Sequence, residues 1–291
     1  MLSLLSSGDP SNISQAQETF RSLDFGLSAH ATESSKVKSR KQVLLNFLKP
    51  ELLDFMENGT ALQSETAGFF LGELANADQT TIDRLFKVSK LDLNRAGAAT
   101  RTLAHLVPDY PQLSEVLIEQ INEPTLLENA SLLYADVAGK QNPKQAVDFL
   151  IKASIAGSQE AMSRFPDFKD NADAAIPFLV GLLSYENSER RDDALRILIQ
   201  LYRGQAQIIR ALKQSLRVDS NQVKPPFPIY YLHDLGAGIN LLKPEIAHLS
   251  SLQMSSYDKD SLTKLIQELK ISKSEKNKMM KNLKDSVAIE D

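Results

Sequence analysis

The sequence predicts an all-α protein in which antiparallel helix pairs stack into a right-handed α-solenoid. Five alanines recur at steps of 32, 31, 31 and 33 residues, and a large apolar residue follows each one by four positions. A small and a large residue at this spacing share one helix face, so each interval carries a helix that faces the core. A helix pair of about 30 to 45 residues cannot bury that face alone and must stack on its neighbours. The alanines are Ala67, Ala99, Ala130, Ala161 and Ala194, and the apolar residues are Leu71, Leu103, Tyr134, Phe165 and Leu198.

Length and composition leave one or two folded domains open, and the repeats favour one elongated domain. The 291 residues are 42% hydrophobic and 24% charged. The absence of cysteine excludes disulfides, thiolate metal sites and cysteine nucleophiles, and it fits a reducing compartment, so we expect a cytoplasmic protein. A net charge of -4 supplies no general attraction for nucleic acid. The longest apolar run, near residues 174–183, contains Pro177 and is too short to span a membrane.

We expect a single helical-repeat domain over residues 1–291, divided into four segments. These are an N-terminal cap (1–45), regular repeats (46–215), an irregular C-terminal repeat or cap (216–270) and a flexible lysine-rich tail (271–291). Within the cap, the spacing of Ile13, Ala16 and Phe20 predicts an opening helix after the break at Pro10.

Prolines and glycines mark the predicted ends of the helices in the regular repeats. Pro50 is predicted to occupy the first turn of a helix that ends at Asn58 and Gly59. No segment alternates with period two for long enough to predict a strand. Five prolines fall between the predicted helices, where a missing amide hydrogen costs least: Pro108, Pro111, Pro124, Pro143 and Pro166.

The repeat pattern ends in the C-terminal third. The run from Lys224 to Tyr231 contains three prolines and three aromatic residues, and such a run cannot form an ordinary helix. Because aromatic rings usually bury their area, we expect Phe227, Tyr230 and Tyr231 to fill the core, and an exposed docking loop is the alternative.

The segment Ile176–Leu198 has a Pro-bearing first helix, an acidic turn, and a second helix in which arginine precedes Ala194. This arrangement resembles a HEAT repeat, and weaker versions occur at 52–75 and 85–106. The segment 143–161 instead resembles a Sel1-like or tetratricopeptide unit. The resemblance to HEAT and armadillo-like proteins implies the solenoid fold and a role in protein–protein interaction.

No motif for catalysis, metal binding or cofactor binding is present in the sequence. The four histidines, at positions 30, 105, 233 and 248, are far apart and none lies in a zinc-binding frame. Gly236 and Gly238 lack the preceding strand that a dinucleotide-binding loop requires. We therefore predict no catalytic, metal-binding or cofactor-binding residue, no cofactor, and a protein that is not an enzyme.

Five arginines form the first candidate binding site. Arg95 and Arg190 stand four residues before their alanines and Arg164 stands three after its own, and these offsets differ by two helix turns. With Arg101 and Arg196 beside them, they could form a concave ridge for an acidic partner segment. The alternative is that they bridge neighbouring repeats. Phe227, Tyr230 and Tyr231 are the second candidate site.

The function that we expect is a non-enzymatic protein-binding scaffold or adaptor that uses the concave face of the solenoid. Its partner would be a protein or peptide, and the arginines favour an acidic one. A HEAT-like nucleic-acid-binding protein of the DNA-glycosylase type is one alternative, but it would need a strongly basic groove, and we expect no nucleic-acid partner. An armadillo-like chaperone regulator is another alternative. The sequence leaves open the partner's identity and the oligomeric state.

Overall fold

A computed structural model of the chain describes residues 1–22, 35–74, 78–91, 93–108, 110, 112–183, 188–216, 229–252 and 255–286. These residues form helices and the turns between them, and none of them forms a strand. The all-α prediction is therefore confirmed. The contacts divide the chain into two compact units, Met1–Asn142 and Pro143–Asp291. The prediction of one continuous repeat domain stays a prediction.

The first unit is built from helices that pack in consecutive pairs. Helix α3 packs against α4, α5 against α6, and α7 against α8, while α4 also contacts α6, and α6 contacts α8. The second helices of successive pairs are therefore neighbours. The helices are α1 (Leu2–Ser6), α2 (Pro10–Ser22), α3 (Ser35–Asn58), α4 (Ala61–Leu74), α5 (Gln79–Leu91), α6 (Leu93–Leu106), α7 (Leu113–Gln120) and α8 (Leu127–Val137).

Polar side chains set the beginning of helices α4 and α5. The Thr60 hydroxyl accepts a hydrogen bond from the Gln63 amide, and the Gln63 side chain accepts one from the Thr60 amide, so the two form a reciprocal cap. Gln63 also donates to the Leu5 carbonyl at 2.9 Å, which ties α1 to α4. Before α5, one carboxylate oxygen of Asp78 accepts from both the amide and the hydroxyl of Thr81. These caps satisfy amide groups that have no partner within the helix.

The five regularly spaced alanines are buried, as the spacing predicts. Each is at most 1% exposed, and the large apolar residue four positions later is at most 2% exposed. They lie on every second helix, from α4 to α12. The prediction that each interval carries a core-facing position is confirmed.

Pro50 does not begin a helix. It lies inside α3, which is continuous from Ser35 to Asn58. Proline lacks the amide hydrogen that would continue the helical ladder, but Pro50 is exposed, so water can solvate the helix where that bond is missing. The predicted helix end at Asn58 is correct.

The second unit contains the same order of elements twice, a 3-10 segment followed by three helices. In three pairs of corresponding elements, the last residues are 67 positions apart: Ala175 and Leu242, Leu182 and Leu249, Leu201 and Glu268. The elements are α9 (Pro143–Ile155), α10 (Gln159–Ser163), a first 3-10 segment (Phe165–Ala175), α11 (Ile176–Leu182), α12 (Ser188–Leu201), α13 (Ala206–Ser215), a second 3-10 segment (Ile229–Leu242), α14 (Lys243–Leu249), α15 (Ser256–Glu268) and α16 (Lys273–Asp285).

The two 3-10 segments share a backbone kink. Lys169 in the first has φ 50° and ψ -121°, and Gly236 in the second has φ 52° and ψ -125°. These residues are also 67 positions apart. Each segment packs against the second helix after it, α12 or α15, and against an earlier helix, α9 or α12.

The lysine-rich C-terminal segment is not a flexible tail over its described part. Residues 273–285 form α16, which begins with a complete capping box between Ser272 and Glu275. Leu283 is 4% exposed, and α16 packs against α15. A capping box and a buried leucine therefore accompany the packing of this strongly charged helix against its neighbour.

Candidate binding groove

The first unit has a groove of about 300 Å³ between α4 and α6. Its lining combines small residues at the floor with charged residues at the sides. From α4 it receives Glu65, Gly68, Phe69, Gly72 and Glu73, and from α6 it receives Ala98, Arg101, Thr102 and His105.

Two glycines allow α4 and α6 to approach closely below the groove. A Cβ atom added at Gly68 would lie 2.5 Å from the Thr102 hydroxyl oxygen, which no real side chain tolerates. A Cβ added at Gly72 would lie 3.1 Å from the Cδ2 atom of His105. The floor of the groove is therefore backbone of α4 in contact with side chains of α6.

The charged residues of the groove are distributed unequally. Glu65 and Arg101 form an ion pair of 3.0 Å, with both side chains largely exposed. Glu73 is half-buried and has no ion-pair or hydrogen-bond partner among the residues that the structure describes. With neutral histidine, the lining carries two carboxylates and one guanidinium, and the guanidinium is already paired with one of the carboxylates.

Two of the five predicted site arginines hold the ends of other helices. Arg95 on α6 donates from Nη1 to the backbone carbonyl of Glu57, the penultimate residue of α3. Arg190 on α12 donates from Nη2 to the carbonyl of Ser154, the penultimate residue of α9, at 2.7 Å. These contacts are the kind expected if the arginines bridge neighbouring repeats. Whether a partner also uses these arginines stays a prediction.

The other three arginines form ion pairs on the surface of the chain. Arg164 pairs with Asp167 at 2.8 Å, and Arg196 pairs with Asp193 at 3.1 Å. Arg101 is the only one of the five that lines the groove.

The second candidate site lies beside a separate cavity in the second unit, of about 370 Å³. Phe227 lies outside the described residues. Tyr230 is 37% exposed, so the expectation that it fills the core is wrong, and its ring lies 4.2 Å from that of the half-buried Tyr231. A hydrogen bond with Tyr231 raises the pKa of Tyr230 to about 12. Tyr257 on helix α15 packs edge-to-face against Tyr230, with the two ring centroids 5.9 Å apart.

Of the nine described residues that line the groove, the sequence analysis predicted only Arg101, and it did not predict Tyr257 of the aromatic cluster. Glu65, Phe69 and Glu73 stand at intervals of four residues, a spacing that places them on one helix stripe. Their alignment could therefore have been predicted from the sequence. His105 and Tyr257 carried no such signal, because their positions depend on which helices become neighbours.

Among the described residues, no group of three histidine or acidic side chains could hold a metal ion. No helix in the described ranges combines the length and apolar character that crossing a bilayer requires. Comparison of the chain with protein families, curated proteins and solved structures finds no match.

Proposed function

We propose that this protein is a non-enzymatic scaffold that binds a partner protein along the face formed by α4 and α6. The observation that carries the proposal is the groove itself, which combines an apolar floor with charged sides. Protein interfaces commonly have this anatomy, an apolar centre inside a polar rim. A helix or an extended segment of a partner would lie along the groove, as in other helix-lined binding surfaces.

The proposal includes a right-handed α-solenoid of HEAT or armadillo-like repeats as the framework. Consecutive pairing of α3 with α4 and of α5 with α6, together with the contact of α4 with α6, is the packing expected of stacked helix pairs. The buried alanines support a common register for these pairs. Small residues at such positions let neighbouring helices approach closely.

A photo-crosslinking amino acid placed at position 101 tests the binding surface. Arg101 is exposed in the groove, and Lys87, exposed on α5 and absent from the groove lining, provides the control position. In cell extract we expect covalent protein adducts from position 101 and few from position 87. Equal labelling at both positions, or none at position 101, would overturn the proposal.

Small-angle scattering tests the framework separately. A compact domain of 291 residues would have a radius of gyration of about 19 Å. A stacked solenoid exceeds this value because each repeat contacts only its neighbours. A measured radius at the compact value would rule out the elongated framework.

A further inference from the structure

We infer that the groove between α4 and α6 recognises an arginine side chain of a partner segment. The inference rests on the proposed function and names the chemistry that this binding surface selects. Three features of the groove carry it: the carboxylate of Glu73, which has no partner among the described residues, the engagement of Arg101 by Glu65, and the apolar floor between them.

The first feature is the charge that the groove leaves available. Because Arg101 already pairs with Glu65, the formal charge that remains among the described lining residues is the carboxylate of Glu73. A guanidinium can bind a carboxylate through two parallel hydrogen bonds, which an ammonium cannot do. An acidic side chain in the same place would be repelled by the carboxylate of Glu73.

The second feature is the shape of the groove beside Glu73. Phe69 lies one helix turn before Glu73, so its half-buried ring and the carboxylate stand on the same stripe of α4. Gly68, Gly72 and Ala98 provide a floor without protruding side chains. The aliphatic stem of an arginine packs on such a floor while its planar head reaches the carboxylate.

The third feature is the ion pair at the other end. Glu65 and Glu73 are eight residues apart on α4, which corresponds to about 12 Å along a helix. The exposed pair of Glu65 with Arg101 borders the apolar floor and leaves Glu73 as the end of the groove where a cation is stabilised. The arginine of the partner therefore binds at the Glu73 end.

The experiment uses the full-length, ¹⁵N-labelled protein and two pentapeptides that differ in one atom group. The first is acetyl-Gly-Ser-Arg-Ser-Gly-amide, and the second contains citrulline, which has nearly the same shape without the charge. Amide chemical shifts of Gly72 and Glu73 report binding. We expect the citrulline peptide to bind at least about tenfold more weakly, because a hydrogen bond to a charged group is lost.

Glu73→Gln should weaken binding of the arginine peptide by a similar factor and leave binding of the citrulline peptide unchanged. Glu119→Gln is the matched control, since Glu119 is an exposed glutamate on α7 of the same unit and does not line the groove. Equal affinity for the two peptides, or equal affinity of the Glu73→Gln variant and the wild type, would overturn the inference. If either result is found but position 101 still gives protein adducts, the proposed scaffold function stands and only arginine recognition is rejected.

Discussion

Arg190 on α12 donates a hydrogen bond of 2.7 Å from Nη2 to the backbone carbonyl of Ser154 at the end of α9. Arg95 on α6 makes the same kind of contact with Glu57 at the end of α3. The last carbonyls of a helix have no donor within the helix, and a guanidinium there also opposes the negative end of the helix dipole. In both units, an arginine four residues before a buried alanine therefore holds the end of an earlier helix.

Arg190→Met should lower the free energy of unfolding by about 1.5 to 3 kcal/mol, because the charged donor to the Ser154 carbonyl is lost while the apolar stem is largely kept. Urea denaturation followed by circular dichroism measures the change. Arg101→Met is the control, because its exposed ion pair with Glu65 should contribute less than about 1 kcal/mol. A loss from Arg190→Met no larger than from Arg101→Met would contradict the capping role.

The sequence predicted the position of these arginines on a helix stripe but not the carbonyls that they reach. The offset from the alanine depends only on helix geometry, which is local. The carbonyl that accepts the hydrogen bond depends on which earlier helix ends within reach of the arginine. Helix packing decides this, and it brings together residues that are 36 or 38 positions apart in the chain. Local periodicity therefore identified candidate residues and could not distinguish a free ridge from a set of helix caps.

The alanine spacing is tested by enlarging two of its members. Ala99→Leu and Ala194→Leu should each cost about 1 to 3 kcal/mol of stability, because both positions are fully buried and the larger side chain overpacks them. Thermal unfolding gives the comparison. Ala206→Leu, at an exposed position on α13, should change stability by less than about 0.5 kcal/mol. Unchanged stability of both buried variants would disprove the register.

The close contact of α4 with α6 predicts that Gly68 and Thr102 are energetically coupled. Gly68→Ala should destabilise the protein by about 1 to 3 kcal/mol, since its Cβ would lie 2.5 Å from the Thr102 hydroxyl. Thr102→Ala removes that oxygen, so the double variant should be more stable than the sum of the single changes predicts. Gly181→Ala, where no atom of the described residues lies within 4 Å of the added Cβ, should stabilise α11 by up to about 1 kcal/mol. Additive effects at positions 68 and 102 would show that the helices separate there.

Asp78 predicts a pH dependence of stability. Hydrogen bonds from Lys49 and from Thr81 lower the pKa of Asp78 to about 2. A carboxyl with a lower pKa in the folded state contributes stability above its unfolded pKa, and this contribution disappears as the pH falls through 4 towards 2. Asp78→Asn keeps a capping oxygen but loses the charge, so it should be less stable than the wild type at pH 7 and nearly equal at pH 2.

Urea midpoints at pH 7, 4 and 2 measure the effect of Asp78→Asn. Because Asp78 is more than half exposed, the difference should be small, though larger at pH 7 than at pH 2. Lys49→Met should reproduce the direction of the trend, since Lys49 is the largest cause of the lowered pKa. A difference between wild type and Asp78→Asn that grows as the pH falls would reverse the predicted sign.

The duplicated element order of the second unit was not predicted, although its signs are present in the sequence. Asp167 and Asp234, and Pro177 and Pro244, are identical pairs 67 positions apart. Leu195 and Leu262, and Leu198 and Leu265, are also identical, and other buried positions share only apolar character, such as Leu179 and Ile246. The copies therefore differ in sequence while keeping much of their buried pattern. The shorter interval between the alanines is easier to detect in the sequence, because the same small residue recurs at each step.

The two copies predict opposite effects of substitution at their shared kink. Lys169 has φ 50°, a value that favours glycine, and the corresponding residue of the second copy is Gly236. Lys169 is exposed, so Lys169→Gly removes backbone strain without loss of burial and should stabilise the protein by about 1 kcal/mol. Gly236→Ala should destabilise it by a similar amount, and since no atom of the described residues lies within 4 Å of the added Cβ, the cost is conformational. Chemical denaturation of both variants gives the signs, and destabilisation by Lys169→Gly would mean that the lysine side chain contributes more than the strain costs.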